Sequence, residues 1–365
     1  MGEQATLQES GEIEAGFDSS LEEGVETPPM SLLDIKSLSQ EELFRYVEES
    51  ETFIEVSERR IKKVPALRGK TILNVFFEPS TRTRVSFEIA GKRLSADTIN
   101  ISASGSSLSK GENLLDTART LQAMRPDVIV LRHQSSGAAH FLARRLTSTS
   151  IVNAGDGMNE HPTQCLLDLL SLQQHFQKPI RELTGLKVGI VGDVRHSRVA
   201  RSNVWAHILL GNTVRLIGPP GLVPVELTDP TCFGSKVEIT NDLNEGLEGL
   251  DVVIVLRLQK ERQKEAFIGS LDEYSKFYGV SAQRIKRACP GALVLHPGPA
   301  NRGVEINGEL LYAQKSLVEN QVRLGVAVRM AVLFRLATQS GLGGEGGLGG
   351  SGGSAVEDES LEEVA

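Results

Sequence analysis

Cysteine is scarce in this chain. The three present in 365 residues, Cys165, Cys232 and Cys289, are odd in number and show no C-x-x-C or Cys/His spacing. That excludes a disulfide framework and a cysteine-based zinc site, and reads as inert thiols in a reducing compartment. No apolar run approaches the ~20 residues needed to cross a bilayer. The first residues are acidic, without a basic segment leading into an apolar one, so the expectation is a cytoplasmic protein with no membrane association. Lys and Arg are missing from residues 1–30 and 341–365, which hold eight and six acidic side chains. Removing these from the 47 acidic residues leaves 33 against 39 basic ones, so a chain of formal charge −8 has a central body of +6. Such a balance suits anionic small molecules. The Lys/Arg-rich run or aromatic ladder that would support nucleic acid is lacking.

At 365 residues the chain exceeds what one hydrophobic core usually serves, so two domains are expected. Residues 1–30 are rich in Glu, Ser and Gly, and residues 341–354 are mostly Gly. Neither stretch can offset its ordering entropy by burying apolar surface, so 1–30 and 339–365 are expected to be disordered. Between them, short β-branched runs alternate with helix-length stretches. Strands over 71–77, 97–101, 127–131 and 150–153 are followed by amphipathic helices reaching Leu94 and over 113–124, 137–146 and 161–176. After Gly185 the rhythm resumes with strands over 186–191, 213–217, 237–240, 252–256 and 292–295 and a helix over 197–210. This predicts an α/β protein of two tandem domains, 31–178 and 179–313, each a parallel sheet flanked by helices. Ligands should gather at the carboxyl ends of the strands, in the cleft between the domains. A last amphipathic stretch, 314–338, has no strand after it and is expected to pack back on the first domain.

The motifs sit at those strand ends. Glu78-Pro79-Ser80-Thr81-Arg82-Thr83-Arg84 joins a strand to a helix, where unpaired N–H groups and the positive end of the helix dipole meet hydroxyls and a planar cation. A phosphate is the natural occupant. The competing reading, a Ser/Thr cap with solvated arginines, is weakened by the two arginines and the flanking strand. Arg132 ends the third strand. In Asn159-Glu160-His161-Pro162-Thr163-Gln164, His161 and Gln164 share one face of a first helical turn. Ser106-Ser107-Leu108-Ser109-Lys110-Gly111-Glu112 reads as a polar loop. Gly192-Asp193-Val194-Arg195-His196-Ser197-Arg198 lacks the G-x-G-x-x-G pattern and crowds its turn with arginines, which argues against a dinucleotide. Leu256-Arg257-Leu258-Gln259 follows a strand and leads toward Arg262, and a salt-bridged surface loop is the alternative there. In Leu295-His296-Pro297-Gly298-Pro299 two prolines make a rigid turn whose carbonyls stay available.

Taken in order, these six motifs resemble the aspartate/ornithine carbamoyltransferase superfamily over roughly residues 31–338. The second residue of H-P-x-P, Pro297, resembles the aspartate members, whereas ornithine members carry a cysteine there. The resemblance implies transfer of a carbamoyl group from carbamoyl phosphate to L-aspartate in pyrimidine synthesis, with neither cofactor nor metal. It implies a carbamoyl phosphate-binding first domain and an aspartate-binding second. Ser80, Thr81, Arg82 and Thr83 would hold the phosphate, with Arg82 acting on the leaving oxygen and Arg132, Thr83 and His161 on the carbonyl oxygen. Gln164 and the turn Pro297-Gly298-Pro299 would orient the carbamoyl nitrogen, while Arg198, Arg257, Gln259 and Lys110 would receive aspartate. Lys110, with Ser106 or Ser107, would reach a neighbouring subunit's site in a homotrimer. A regulatory chain or a dihydroorotase partner is left open. So are a related enzyme for another amine, an inactive scaffold and a nucleotide sensor.

Overall fold

The computed structural model describes residues 30–102, 113–259 and 269–339. The acidic N-terminal stretch through residue 29, the Gly-rich tail from 340, Ser106, Ser107, Lys110 and Arg262 lie outside them. Two all-parallel sheets form the frame. The first has the order β2-β1-β3-β4, from β1 (Thr71–Phe76), β2 (Asp97–Ser102), β3 (Val128–His133) and β4 (Ser150–Asp156). The second has the order β7-β6-β5-β8-β9, from β5 (Lys187–Val191), β6 (Thr213–Ile217), β7 (Val237–Thr240), β8 (Val252–Val255) and β9 (Leu293–Leu295). Strands β4 and β8 are buried along their whole length, as strands covered on both faces are, and β8 is a continuous apolar run. Strand order reverses between β1 and β3 and again between β5 and β8, and at such switch points the loops part to leave a crevice.

The helices are α1 (Gln40–Glu58), α2 (Thr81–Arg93), α3 (Leu114–Ala123), α4 (Ala138–Ala143), α5 (Pro162–Phe176), α6 (Arg198–Leu209), α7 (Leu243–Gly246), α8 (Leu271–Tyr278), α9 (Ala282–Ala288), α10 (Gly308–Leu311) and α11 (Val318–Gln339). Helix α1 is not among the expected elements, although Ser39 and Glu42 form a reciprocal capping box at its start. The short α7 to α10 are also additions, being too brief for a periodic signal. The closing helix packs on α1, α2 and α5 of the first lobe. It begins at Val318 rather than 314 because the preceding residues pair with β9: Val294 donates to Lys315, and Leu317 donates back to Val294. The amphipathic reading of α5 is corrected. Every residue from Pro162 to Gln173 is buried, since the helix lies between the lobes and contacts α1, α6 and α11. One continuous apolar cluster accordingly runs from α1 and α11 through α5 into the second sheet. Among the described residues no helix is long and apolar enough to cross a membrane.

Candidate active site

A cavity of about 530 Å³ opens between the lobes, lined by Arg132 near the end of β3 and by residues following β1, β4, β5, β8 and β9. Every expected site residue among the described ones is there: Ser80, Thr81, Arg82, Thr83, Arg132, His161, Gln164, Arg198, Arg257, Gln259, Pro297, Gly298 and Pro299. Lys110 lies beyond the described residues.

Ser80 is the residue before the first turn of α2, yet its side chain makes no capping hydrogen bond. The first turn has no acid to balance the dipole and carries Arg82 instead. Simple capping therefore does not account for the motif, and amides and hydroxyls at such a helix end are suited to cradle an anion. Across the cradle, Gly298 sits at φ +60°, and a Cβ there would collide with the Arg82 guanidinium. Glycine lets the Pro297-Gly298-Pro299 turn lie against Arg82.

Cations converge from both lobes. Partial withdrawal from water, and then the neighbouring Arg257, lower the proton affinity of Arg82. Arg329, from α11, also lines the cavity, donating to Gly325 O (2.8 Å) and Ser86 Oγ (3.1 Å). Burial, reinforced by Arg82, brings its pKa down to about 10. Guanidiniums crowded in this way make a place suited to an anion. Glu78 offsets part of the charge by joining the lobes: its Oε2 lies 3.2 Å from Arg132 Nε and 2.7 Å from Arg198 Nη2. Arg198 also donates to Gly157 O at 3.2 Å and crosses the backbone at Gly155 (φ +112°), where a Cβ would meet it at 2.9 Å.

His161 and Gln164 are held from below. The His161 amide donates to Ser202 Oγ of α6 (2.9 Å), and Ser202 donates to Glu160 Oε2 (2.9 Å), which also accepts from the Ile35 amide (2.8 Å). Burial pushes the Glu160 carboxyl up to about 7, against the pull of those donors. The folded state thus holds this proton more tightly than the unfolded chain. The stabilisation is fully present below the ordinary carboxyl value of 4.5 and is lost as pH rises through about 7. Wild type should therefore gain roughly 2–3 kcal/mol over Glu160→Gln between pH 8 and pH 5, read from urea midpoints. A difference that stays constant with pH would refute this.

In the second lobe, buried Asp193 accepts from the Gln259 amide (3.3 Å) and from His196 Nδ1 (2.7 Å), tying the β8 loop to the β5 turn. The motifs alone give no role to Glu78, Arg329 or Gln321. Glu78 is visible within the first motif, and Arg329 stands out as a cation within an apolar stretch of helix.

The carbamoyl-P binding domain of aspartate/ornithine carbamoyltransferase matches residues 30–174, and the Asp/Orn binding domain of the same family matches residues 184–336. The chain belongs to the aspartate/ornithine carbamoyltransferase family. A relative in that family, the aspartate carbamoyltransferase catalytic subunit of Magnetococcus marinus, is 53% identical over 299 residues, covering 81% of this chain and 89% of the relative. Among solved structures, aspartate transcarbamoylase from Trypanosoma cruzi with carbamoyl phosphate and aspartate is 27% identical with a TM-score of 0.74, covering 85% of this chain and 97% of that one. Ornithine carbamoyltransferase from Pyrococcus furiosus gives 26%, 0.73, 85% and 97%. Backbone shape therefore does not separate the two branches of the family, and the side chains must.

Proposed function

We propose that the protein transfers the carbamoyl group of carbamoyl phosphate to the amino group of L-aspartate, giving N-carbamoyl-L-aspartate and phosphate. The observation carrying this is the pairing of Arg82, at the mouth of a helix-end anion cradle, with Arg257 from the opposite lobe in one cavity. Carbamoyl phosphate is already activated, so alignment and charge stabilisation are the main tasks. Ser80, Thr81, Arg82 and Thr83 hold the phosphate. Arg132, Thr83 and His161 take up charge developing on the carbonyl oxygen as the amine attacks and the C–O bond to phosphate breaks, the amine's proton leaving on the departing phosphate. Arg82 stabilises the departing oxygen. Gln164 and the Pro297, Gly298 and Pro299 turn orient the carbamoyl nitrogen, and Arg198, Arg257 and Gln259 grip the two carboxylates of aspartate. Pro297 and the 53%-identical relative favour aspartate over ornithine.

In this reading residues 31–178 with 314–338 bind carbamoyl phosphate and 179–313 bind aspartate. The enzyme works as a cytoplasmic homotrimer in pyrimidine synthesis, with Lys110 completing a neighbour's site. A colorimetric assay of carbamoyl-aspartate tests the reaction, with ornithine and putrescine as alternative amines and with nucleotides added to reveal control. No product from aspartate would end the proposal. Because Glu78 ties the arginines of both lobes, Glu78→Gln should raise the aspartate KM roughly tenfold while the carbamoyl phosphate KM moves far less. Equal changes in both would sink the interlobe role.

A further inference from the structure

Beneath the cavity lies a carboxylate that no step above uses. Asp168, two turns into α5, is wholly removed from solvent. Its Oδ1 accepts from Gln164 Nε2 (2.9 Å) and Gln321 Nε2 (2.6 Å), and its Oδ2 accepts from Asn203 Nδ2 (2.9 Å). The three amides come from α5, α11 and α6. Burial raises the Asp168 pKa to about 6, against the pull of all three donors. With three amide N–H groups turned on its two oxygens, the carboxyl is held as an acceptor, the ionised form.

An ionised carboxylate only accepts, so it dictates which way each amide faces. Gln164 must spend its nitrogen on Asp168, and its oxygen is the branch left for the cavity it lines. Gln321 likewise spends its nitrogen there and turns its oxygen to the His296 amide (3.0 Å). His296 Nδ1 in turn accepts from the Gly298 amide (2.8 Å), with the cavity turn Pro297-Gly298-Pro299 built on that bond. Both groups assigned to the carbamoyl nitrogen therefore hang from one buried anion.

We propose that Asp168 is a positioning residue that gives the cleft its preference for a carbamoyl group over an isosteric acetyl group, by fixing the Gln164 oxygen and the turn as acceptors. This rests on the reading of the cavity as a carbamoyl phosphate site. A ligand presenting –NH₂ satisfies those acceptors, whereas one presenting –CH₃ leaves them buried and unmet. The phosphate end of the ligand is recognised elsewhere, at α2, and feels Asp168 only through the field of Arg329.

The test compares three ligands on the full-length protein: the KM of carbamoyl phosphate and the inhibition constants of acetyl phosphate and inorganic phosphate. An asparagine at this position must turn an N–H toward at least one of the three donors, so an amide is forced to flip or part. Asp168→Asn should raise the carbamoyl phosphate KM roughly 10- to 100-fold and leave both inhibition constants within about twofold. A uniform weakening of all three ligands would show a merely structural role, and an unchanged carbamoyl phosphate KM would show none; either overturns the inference. If Asp168→Asn does not fold, Gln321→Leu removes the link to His296, and the same three constants, read in the same way, decide the matter. Wild-type protein that makes no carbamoyl-aspartate sinks the functional reading and this inference together. Active wild type with unaltered discrimination in the variants sinks the inference alone.

Discussion

Replacing Arg82 with alanine is expected to lower kcat by roughly 10³-fold, while the KM values for both substrates change by far less. A planar fork aimed at the bond that breaks is most valuable when charge reaches the leaving oxygen, and binding substrate and transition state equally would not accelerate the step. The site supplies the conditions for a large effect. Arg82 stands at the amino end of α2, lies against the Gly298 turn and feels the field of Arg257. A cation already held beside another cation needs little reorganisation when negative charge develops in front of it. Steady-state kinetics over both substrates, with circular dichroism to confirm folding, would check it. Near-normal turnover would remove Arg82 from the chemistry.

The second large effect is expected at Arg257. Arg257→Ala should raise the aspartate KM by about 100-fold and leave the KM of carbamoyl phosphate close to wild type, because a bidentate, charge-assisted contact to one ligand is lost. Arg257→Lys should recover little, since an ammonium cannot reproduce the fork. The loop carrying Arg257 is anchored through Gln259 to Asp193, so the guanidinium is presented from a fixed base. Unaltered aspartate dependence in Arg257→Ala would contradict its assignment to a substrate carboxylate. Together the two variants separate rate from affinity, which is the division of labour proposed for the lobes.

Much of this site is legible in the chain because its chemistry sits where strands end. Ser80 to Thr83, Arg132, His161, Gln164, Arg198 and Arg257 each follow an apolar run, and parallel α/β topology brings such ends to one crevice. The strands are legible too, as β-branched runs between helical stretches. What stays hidden depends on partners far apart in sequence. Asp168 belongs to a helix whose pattern reads as amphipathic, although an acid within Cys165-Leu166-Leu167-Asp168-Leu169-Leu170 is a local anomaly. Only the arrival of Gln321 and Asn203 from other helices gives it meaning. Arg329 reaches the cavity only because α11 doubles back across the first lobe. Helix α1 stands before the first strand, outside the β-α alternation, and its buried Leu43, Phe44, Tyr46 and Val47 are interleaved with charged residues whose partners are distant, such as Arg181 for Glu41 and Glu48.

That return of α11 bears on how the molecule is made. During synthesis the amino-terminal portion leaves the ribosome first, yet α1, α2 and α5 stay uncovered until the stretch from Val318 to Gln339 has emerged. The first lobe is thus completed last, and its half of the catalytic apparatus cannot mature before the other half has been translated. A nascent chain stopped after Leu317 should bind an apolar dye such as ANS and yield to protease, and should lose both properties once the 22 residues of α11 are exposed. Protection already present in the shorter chain would show that the early portion folds unaided.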